Sequence, residues 1–315
     1  MKLTTLVNQY IIYRKSLGDK YRVNEWHLMR FCRSMGKNID VLHASRTKIH
    51  KFLYGNGKIT GSWFIRYATL SCFYKYAMSR GYINHSPLPT ILPKRPHLFV
   101  PYIYTRQELR CIFKAALIYR DIKKNYGYIQ PYMIRILLVL LYGMGLRIGE
   151  ALSLTMIDVN IIQSTITIRE AKFNKCRIIP FGKQLANVLS DYIVWRKKHR
   201  LPRSANSPFF MAKGLHLKTE TVRGIFHRIL KIANLKPADK TKHQPRLHDL
   251  RHTFAVHRLT SWYKNNANVQ ILLPILSVYL GHTCLAAISV YLTMTTDLLR
   301  EAGIRFEQYA MGGVI

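Results

Sequence analysis

The sequence predicts a mainly α-helical protein (class α+β) that contains one small antiparallel β-sheet and is divided into two domains. Apolar residues recur at helical spacing through the first hundred residues, where no convincing strand pattern appears. Four prolines then lie within ten residues, from Pro87 to Pro96, and proline at this density breaks helices and stiffens a linker. Further on, two β-branched segments between residues 164 and 181 alternate as the strands of a hairpin do.

The first domain is predicted to be a small helical bundle spanning residues 1–95, followed by a linker at 96–104. Its first helix is indicated by apolar side chains at helical spacing, namely Leu3, Leu6, Val7, Tyr10 and Ile11. Gly18 supplies a stop for that helix. Further helices are expected near residues 23–35, 46–53 and 62–80.

The second domain is predicted to span residues 105–315 and to begin with a capping box formed by Thr105 and Glu108. Its β-hairpin is expected to run from Ser164 to Phe181. Its helices are expected near residues 134–142, 183–198, 219–233 and 250–262. A last helix is expected in the tail, where helical spacing relates Leu298, Ala302, Phe306 and Tyr309.

The charge of the chain points to a polyanionic partner. Its 49 Lys and Arg against 15 Asp and Glu give a formal net charge of +34. Residues 1–100 hold 17 basic and 3 acidic residues, and the remainder holds 32 and 12. A solvated basic surface or a ribosomal-type protein is the simpler interpretation. Because both halves are basic, we instead expect both to contact DNA.

The cysteine content and the hydropathy indicate a cytoplasmic protein. The five cysteines are widely spread and form no CxxC pair, which favours reduced thiols over a disulfide framework or a zinc site. No signal peptide is apparent. The longest apolar run, residues 136–146, is too short to span a bilayer. We therefore expect no membrane association, and no small-molecule substrate.

The stretch from Arg246 to Tyr291 combines side chains that suit phosphate chemistry. His248 and Arg251 are three residues apart and share one face of a helix. His282 follows a glycine, and Tyr291 lies nine residues further on. Arginine binds phosphate bidentately, histidine transfers protons and a tyrosine hydroxyl can be a nucleophile. No carboxylate cluster accompanies these residues, which argues against a two-metal nuclease.

The order of these residues resembles the tyrosine recombinase (phage integrase) superfamily. HxxR is followed by LGH and then by the tyrosine, while GLRIGE upstream carries Arg147 in the family's GLR-x-x-E context. EAKFNKCRIIPF resembles the family's β-hairpin, with Lys172 at the position of its lysine. The resemblance covers residues 105–291 and all six catalytic positions, and six positions in the right order are far more specific than one HxxR.

The resemblance implies a role for each basic residue at the scissile phosphate. Arg147 and Arg251 would bind its non-bridging oxygens and stabilise the pentacoordinate transition state. Lys172 would protonate the 5′-oxygen leaving group, although Lys175 lies three residues on and competes for this role. Glu150 and Asp158 resemble acidic positions that brace Arg147 and the local fold, while a helix-surface acid is the simpler interpretation of Glu150.

The resemblance also assigns the histidines and the nucleophile. His248 would be the general acid/base near the nucleophile, and His282 would donate to a phosphate oxygen. His252 and His257 lack motif support and are interpreted as core or surface histidines. Tyr291 would attack phosphorus and leave a 3′-phosphotyrosyl link with a free 5′-hydroxyl. Because that link keeps the phosphodiester energy, no metal, ATP or other cofactor is expected.

The function implied is site-specific recombination of duplex DNA through the phosphotyrosyl intermediate and a Holliday junction. A helical, SAM-like core-binding domain and a catalytic domain would close around DNA as a C-shaped clamp. The chain starts directly with the core-binding bundle, which favours a simple two-domain recombinase. A homotetramer is expected on paired sites and a monomer in the free state. A type IB topoisomerase and a non-catalytic architectural or regulatory DNA-binding protein are the alternatives.

Overall fold

The computed structural model describes residues 1–311 except 37, 56, 58, 97–99, 121–128, 170–175, 213, 236–243, 282–290 and 292–295. The chain divides into two compact units, Met1–Phe99 and Val100–Ile315. Helices dominate, and the strands form small antiparallel sheets, which confirms the predicted fold class. Within the described part of the chain, no helix is both long and apolar enough to cross a membrane.

Unit 1 is a helical bundle with an aromatic core. Its helices are α1 (Leu3–Ser16), α2 (Arg22–Met35), α3 (Arg46–Tyr54) and α4 (Gly61–Ser79). The wholly buried rings of Trp63, Phe73 and Tyr74 project from α4 and pack against the apolar faces of the other helices. Tyr10 of α1 meets Phe73 edge-on, with 5.8 Å between ring centroids. The helical periodicity in the sequence therefore predicted this bundle correctly.

Unit 2 is built around a buried apolar helix. Its helices are α5 (Arg106–Ile118), α6 (Pro131–Gly143), α7 (Ile148–Ser153), α8 (Lys183–Lys198), α9 (Thr219–Ile232), α10 (Asp249–Lys264), α11 (Val269–Leu280) and α12 (Thr296–Met311). Helix α6 packs against α5, α8 and α10. The predicted capping box is confirmed, since Thr105 Oγ1 accepts from Glu108 N at 3.1 Å and Glu108 Oε2 accepts from Thr105 N at 2.7 Å.

The predicted hairpin forms two strands of a three-stranded antiparallel sheet in unit 2. The strands are β1 (Val159–Asn160), β2 (Thr165–Ile168) and β3 (Arg177–Pro180). Ile166 pairs with Ile179, and both are buried. A second, two-stranded sheet joins β4 (Met211–Ala212) to β5 (Leu215–His216). The first sheet places the N-terminal end of β3, at Arg177, toward the site described below.

Residues 269–280 form helix α11, which the sequence patterns did not predict. Asn268 caps this helix by accepting a hydrogen bond from Ile271 N at 3.3 Å. Pro274 lies inside it, where an internal proline removes one helical hydrogen bond. The helix ends at Gly281, whose φ of 68° is left-handed.

The tail helix α12 packs on α10 of its own unit. Leu298 is fully buried there, and Glu301 pairs with Lys264 at 3.8 Å. Phe306, which was predicted to share an apolar face with Leu298, is 69% exposed. The side chain of Tyr309, predicted for the same face, lies outside the described residues. The start of α12 is thus anchored in its own unit, whereas its apolar Phe306 faces solvent.

Candidate active site

Arg251 lies in the first turn of α10 and is 2% exposed. Its Nη1 donates to the carbonyl of Gly145 at 2.7 Å, and its Nη2 donates to the carbonyl of Leu280 at 2.6 Å. Burial and the positive charge of Arg147 lower the pKa of Arg251 to about 10. The group therefore stays charged at neutral pH, and two carbonyls from distant segments fix its plane.

Arg147 stands immediately before α7 and is held from two directions. Its Nη1 pairs with Glu150 Oε1 at 2.7 Å, and its Nη2 donates to the carbonyl of Gly281 at 2.8 Å. Its backbone N–H donates to Glu150 Oε2 at 3.0 Å. The side chain remains 32% exposed, so part of the guanidinium is open to a ligand. Arg147 and Arg251 are thus both fixed around the end of α11.

Arg177 completes this group, although the sequence interpretation did not include it. It donates to both carboxylate oxygens of Glu150, at 3.1 and 2.9 Å, and to the carbonyl of Tyr279 at 3.1 Å. Burial alone would raise the pKa of Glu150, but hydrogen bonds from Arg177 and Arg147 outweigh burial and lower it. The predicted bracing carboxylate is therefore buried between two guanidinium groups, rather than at a helix surface.

Two glycines supply the carbonyls that hold the predicted phosphate-binding arginines. Both are left-handed, with φ of 60° at Gly145 and 68° at Gly281. A Cβ at position 145 would lie 2.5 Å from a ring carbon of Phe254. A Cβ at position 281 would lie 2.8 Å from Arg177 Nη1 and 3.3 Å from Arg147 Nη1. Glycine is therefore required at both positions for conformation and for space.

His248 lies at the start of α10, four residues before His252. Although His248 is exposed to solvent, partial loss of hydration and the charges of Arg251 and Arg246 lower its pKa to about 4. The imidazole is consequently neutral at pH 7 in the free protein. Its ring meets the ring of His252 edge-on, with 4.8 Å between centroids and an interplanar angle of 88°.

Tyr291 is 3% exposed and lies against His252. Its hydroxyl is 3.1 Å from His252 Nδ1, and the ring centroids are 5.5 Å apart. Burial raises the pKa of the Tyr291 phenol, while Arg251 and then Arg147 oppose that increase. The sequence interpretation left His252 as a core or surface histidine. The sequence did contain a signal that places His252 near the site, because His252 is four residues from His248 and so shares its helix face.

The remaining predicted residues divide into those that the structure describes and those that it does not. Lys172, Lys175 and His282 lie outside the described residues. Asp158 is described, and it accepts a hydrogen bond from Thr155 Oγ1 at 2.7 Å and forms an ion pair with Arg169. These contacts stabilise the turn that leads into β1, so Asp158 supports the local fold.

The described groups suit reaction at a phosphodiester. Arg147 and Arg251 present fixed positive charge, which stabilises the charge that develops on a pentacoordinate phosphorus. Tyr291 offers a hydroxyl within hydrogen-bonding reach of Arg251. The imidazole Nδ1 of His252 lies 3.1 Å from that hydroxyl. This combination provides an anion site, a nucleophile and a proton acceptor in one place.

Comparison of the sequence with known proteins identifies relatives along nearly the whole chain. The sequence model of the phage integrase family matches residues 115–297. The integrase/recombinase y4rB of Sinorhizobium fredii is 32% identical over 306 residues, covering 96% of each chain. The tyrosine recombinase XerC of Oceanobacillus iheyensis is 31% identical over 250 residues, covering 78% of this chain and 74% of its own.

Solved structures share the fold at lower identity. A λ integrase dimer bound to a COC′ core site matches with a TM-score of 0.66 and 18% identity, covering 93% of this chain and 78% of that one. The Tn1549 transposon integrase in complex with a circular intermediate DNA matches with a TM-score of 0.64 and 17% identity, covering 97% and 99%. On the sequence matches, this chain belongs to the phage integrase family and is a site-specific DNA recombinase of the tyrosine type.

Proposed function

We propose that this recombinase cuts one DNA strand through attack of Tyr291 on a phosphate held by Arg147 and Arg251. The observation that carries the proposal is the position of Arg251, which is buried, fixed by two carbonyls and within reach of the Tyr291 hydroxyl. A phosphate on the open side of Arg147 would meet two guanidinium groups that need no rearrangement. Such prearranged charge is the main source of stabilisation for a phosphoryl transition state.

The other predicted residues complete the reaction under this proposal. Lys172, on the connection between β2 and β3, protonates the departing 5′-oxygen, with Lys175 as its competitor. His282, which directly follows Gly281, donates to a phosphate oxygen. His248 faces the same phosphate, whose negative charge would raise the low pKa of this imidazole. The product is a 3′-phosphotyrosyl link and a free 5′-hydroxyl, which can rejoin without an external energy source or a metal.

We further propose that the protein acts on duplex DNA as a tetramer. A λ integrase tetramer bound to a Holliday junction is among the structural neighbours of this chain. By analogy, units 1 and 2 would enclose each DNA arm as a C-shaped clamp, residues 1–95 acting as the core-binding domain. The charge of +34 would keep free chains apart as monomers, and DNA would drive assembly by neutralising it. Action on DNA in the cytoplasm follows from this proposal.

The tail helix offers a means of linking neighbouring chains. A cavity of about 840 Å³ lies beside α11, and its lining includes the apolar side chains of Phe254, Trp262, Ile275 and Tyr279. Arg135 and Arg258 also line it. The exposed Phe306 of α12 is followed by Glu307, an apolar and acidic pair that matches this lining. We propose that Phe306 of a second copy of this chain enters the cavity when the tetramer forms.

Cleavage can be tested once a target site is mapped from DNA that becomes covalently joined to the protein in its own cells. Nicked suicide DNA carrying that site should then trap a covalent complex, and a chelator should not change the yield. Tyr291→Phe should bind the DNA and trap nothing. A covalent complex from the Phe variant would contradict the assignment. Relaxation of supercoils without paired sites would favour a topoisomerase, and no cleavage by wild-type protein would favour an architectural role.

The clamp can be tested by its dependence on salt and on the linkage between the units. The logarithm of the binding constant should fall by about 0.9 for each phosphate neutralised per tenfold rise in salt. Residues 1–95 and residues 100–315 should each bind weakly when separate, and the linked chain far better through effective concentration. Equal affinity of one part and the whole would contradict the clamp.

The tail can be tested with a substitution that leaves the active site in place. Phe306→Asp, or truncation after Met294, should spare binding to a single site but abolish pairing of sites and strand exchange. Ile162→Asp is a matched control, because Ile162 is an equally apolar and 98% exposed residue of the same unit. Full recombination by the truncated protein would mean that α12 only covers its own unit.

A further inference from the structure

We propose that His252 takes the proton of Tyr291 as the phenol attacks phosphorus, and returns it when the strand is rejoined. This inference rests on the proposed role of Tyr291 as the nucleophile. His252 projects from α10 one residue after Arg251, and its Nδ1 lies 3.1 Å from the Tyr291 hydroxyl. That distance is within the range for proton transfer between a general base and its nucleophile.

The surroundings of Tyr291 favour an acceptor on the protein. The phenol is 3% exposed, so bulk water has little access to its proton. Arg251 and Arg147, whose charges also act on the phenol, carry no lone pair and cannot accept a proton. The imidazole of His252 has one acceptor nitrogen in its neutral form. In the proposed step the phenol donates to Nδ1, and Nε2 of His252 carries the ring proton.

His248 is less well placed for this role and better placed for the phosphate. It is exposed at the start of α10, beside the arginines that would hold the phosphate. Its pKa of about 4 in the free protein makes it a weak base. Its edge-on contact with His252, 4.8 Å between centroids, holds the two rings in a fixed relation. We therefore depart from the role of general acid/base near the nucleophile that the resemblance implies for His248, and place His248 at the phosphate and His252 at the nucleophile.

The proposed step balances in both directions. During cleavage the O–H electron pair of Tyr291 forms the Oη–P bond, the proton passes to His252 Nδ1, and the P–O5′ bond breaks. The departing 5′-oxygen takes a proton from Lys172. During rejoining the 5′-hydroxyl loses its proton to Lys172 and attacks phosphorus, while Oη leaves and regains the proton from His252. No oxidant, metal or additional reactant takes part.

The test compares two nicked suicide substrates, one with the normal 5′-oxygen and one with a bridging 5′-sulfur at the scissile phosphate. A thiolate leaves without a proton, so sulfur removes the need for an acid but not for a base. His252→Asn keeps a hydrogen-bond acceptor near the position of Nδ1 but no basic nitrogen. We expect it to slow single-turnover cleavage of both substrates by about 10²–10⁴-fold. Lys172→Ala should cleave the 5′-oxygen substrate slowly and regain its cleavage rate on the 5′-sulfur substrate.

His257→Asn is the matched control. His257 lies on the same helix, and its Nδ1 is 3.0 Å from the hydroxyl of Tyr142, so the variant makes the same exchange at an equivalent tyrosine–histidine contact away from the nucleophile. It should cleave both substrates at nearly the wild-type rate. His252→Ala with added imidazole provides a second measurement, because a small base can replace a missing proton acceptor but not a missing structural contact.

The outcomes separate this proposal from the one on which it rests. The role of His252 would be overturned if His252→Asn cleaved the 5′-oxygen substrate at a near-normal rate. It would also be overturned if this variant were slow on the 5′-oxygen substrate but cleaved the 5′-sulfur substrate at a normal rate. Thermal unfolding would first show that His252→Ala is folded. If added imidazole then failed to restore cleavage by this variant, the proposed role of His252 would also be overturned. A covalent complex formed by Tyr291→Phe would instead overturn Tyr291 as nucleophile, whatever His252 does.

Discussion

Unit 2 contains two buried arginines that are held in the same way, and only one of them is proposed to bind phosphate. Arg251 is 2% exposed and Arg196 is fully buried. Each donates through Nη1 and Nη2 to two backbone carbonyls, those of Gly145 and Leu280 for Arg251. The carbonyls of Phe209 and Pro202 accept from Arg196. Burial with two carbonyl acceptors thus fixes a guanidinium, but it does not by itself indicate a functional site.

The difference lies in what surrounds the rest of each guanidinium. Arg196 lies near the rings of Tyr192 and Phe209, with 5.9 and 6.0 Å from its Cζ to their centroids. Its position ties α8 to the segment before β4. Arg251 instead lies near Arg147 and Tyr291, whose charge and phenol both act on it. A second positive charge and a nearby hydroxyl are therefore the features that favour the proposed phosphate site at Arg251 over a structural anchor.

The largest effect is expected when Arg251 is replaced by lysine, and the same replacement at Arg196 is the comparison. Arg251→Lys keeps one charge but loses the planar pair of donors, and cleavage of suicide DNA should fall by about 10²–10³-fold. Arg196→Lys should leave the cleavage rate of folded protein unchanged. Single-turnover cleavage measures both. Equal losses in the two variants would mean that Arg251 acts mainly through the fold.

Gly281→Ala tests whether the holding carbonyls must be placed accurately. The new Cβ would crowd Arg177 and Arg147 at a left-handed position, so both guanidinium groups must shift. A displacement of about 1 Å costs on the order of 10²-fold in rate. Gly214→Ala is the control, since Gly214 has φ of 78° but no atom within 4 Å of its added Cβ. Cleavage assays and thermal unfolding on both variants separate misplacement from backbone strain.

Arg196→Met should lower stability without altering the chemistry. Methionine fills the same apolar space, but the carbonyl of Pro202 loses its donor, while that of Phe209 keeps only the bond from the Tyr192 hydroxyl at 3.0 Å. Each buried acceptor left without a partner costs about 1–3 kcal/mol. Urea unfolding should show this decrease in the free energy of unfolding, while cleavage per folded molecule stays unchanged. Wild-type stability in this variant would mean that the aromatic packing alone holds the segment.

Glu150→Gln should produce the smallest loss of cleavage rate among the substitutions in the active site. Loss of charge-assisted hydrogen bonds to Arg147 and Arg177, about 1.5–3 kcal/mol in stability, should slow cleavage by about tenfold. The pKa of Glu150 is lowered in the fold, so its contribution is complete above the unfolded value, about 4.3. It is lost as pH falls through the folded value. Unfolding measured between acid and neutral pH should therefore show a weaker pH dependence in Glu150→Gln than in wild type.

The contrast between the two arginines also explains what could be predicted from the sequence. Helices with regular apolar spacing, the capping box at Thr105 and the β-branched hairpin are local features, and their patterns were sufficient. Motif context then predicted that Arg251, among many arginines, binds phosphate, and this role stays a prediction. It could not identify Arg177, whose carboxylate partner is 27 residues away, or the contact of His252 with Tyr291, 39 residues away. Such contacts depend on how distant segments fold together.

The need for glycine at positions 145 and 281 limits which mutations of the gene preserve activity. A glycine codon has the form GGN, so any change at its first or second base replaces the residue or ends the chain. At these two codons every such replacement would place a side chain where Phe254 or Arg177 already stands. Inactivating changes should therefore be common at these two positions, although neither carries a side chain that could take part in the reaction. Copies of this gene that drift without selection should lose activity through these codons as readily as through those of the arginines.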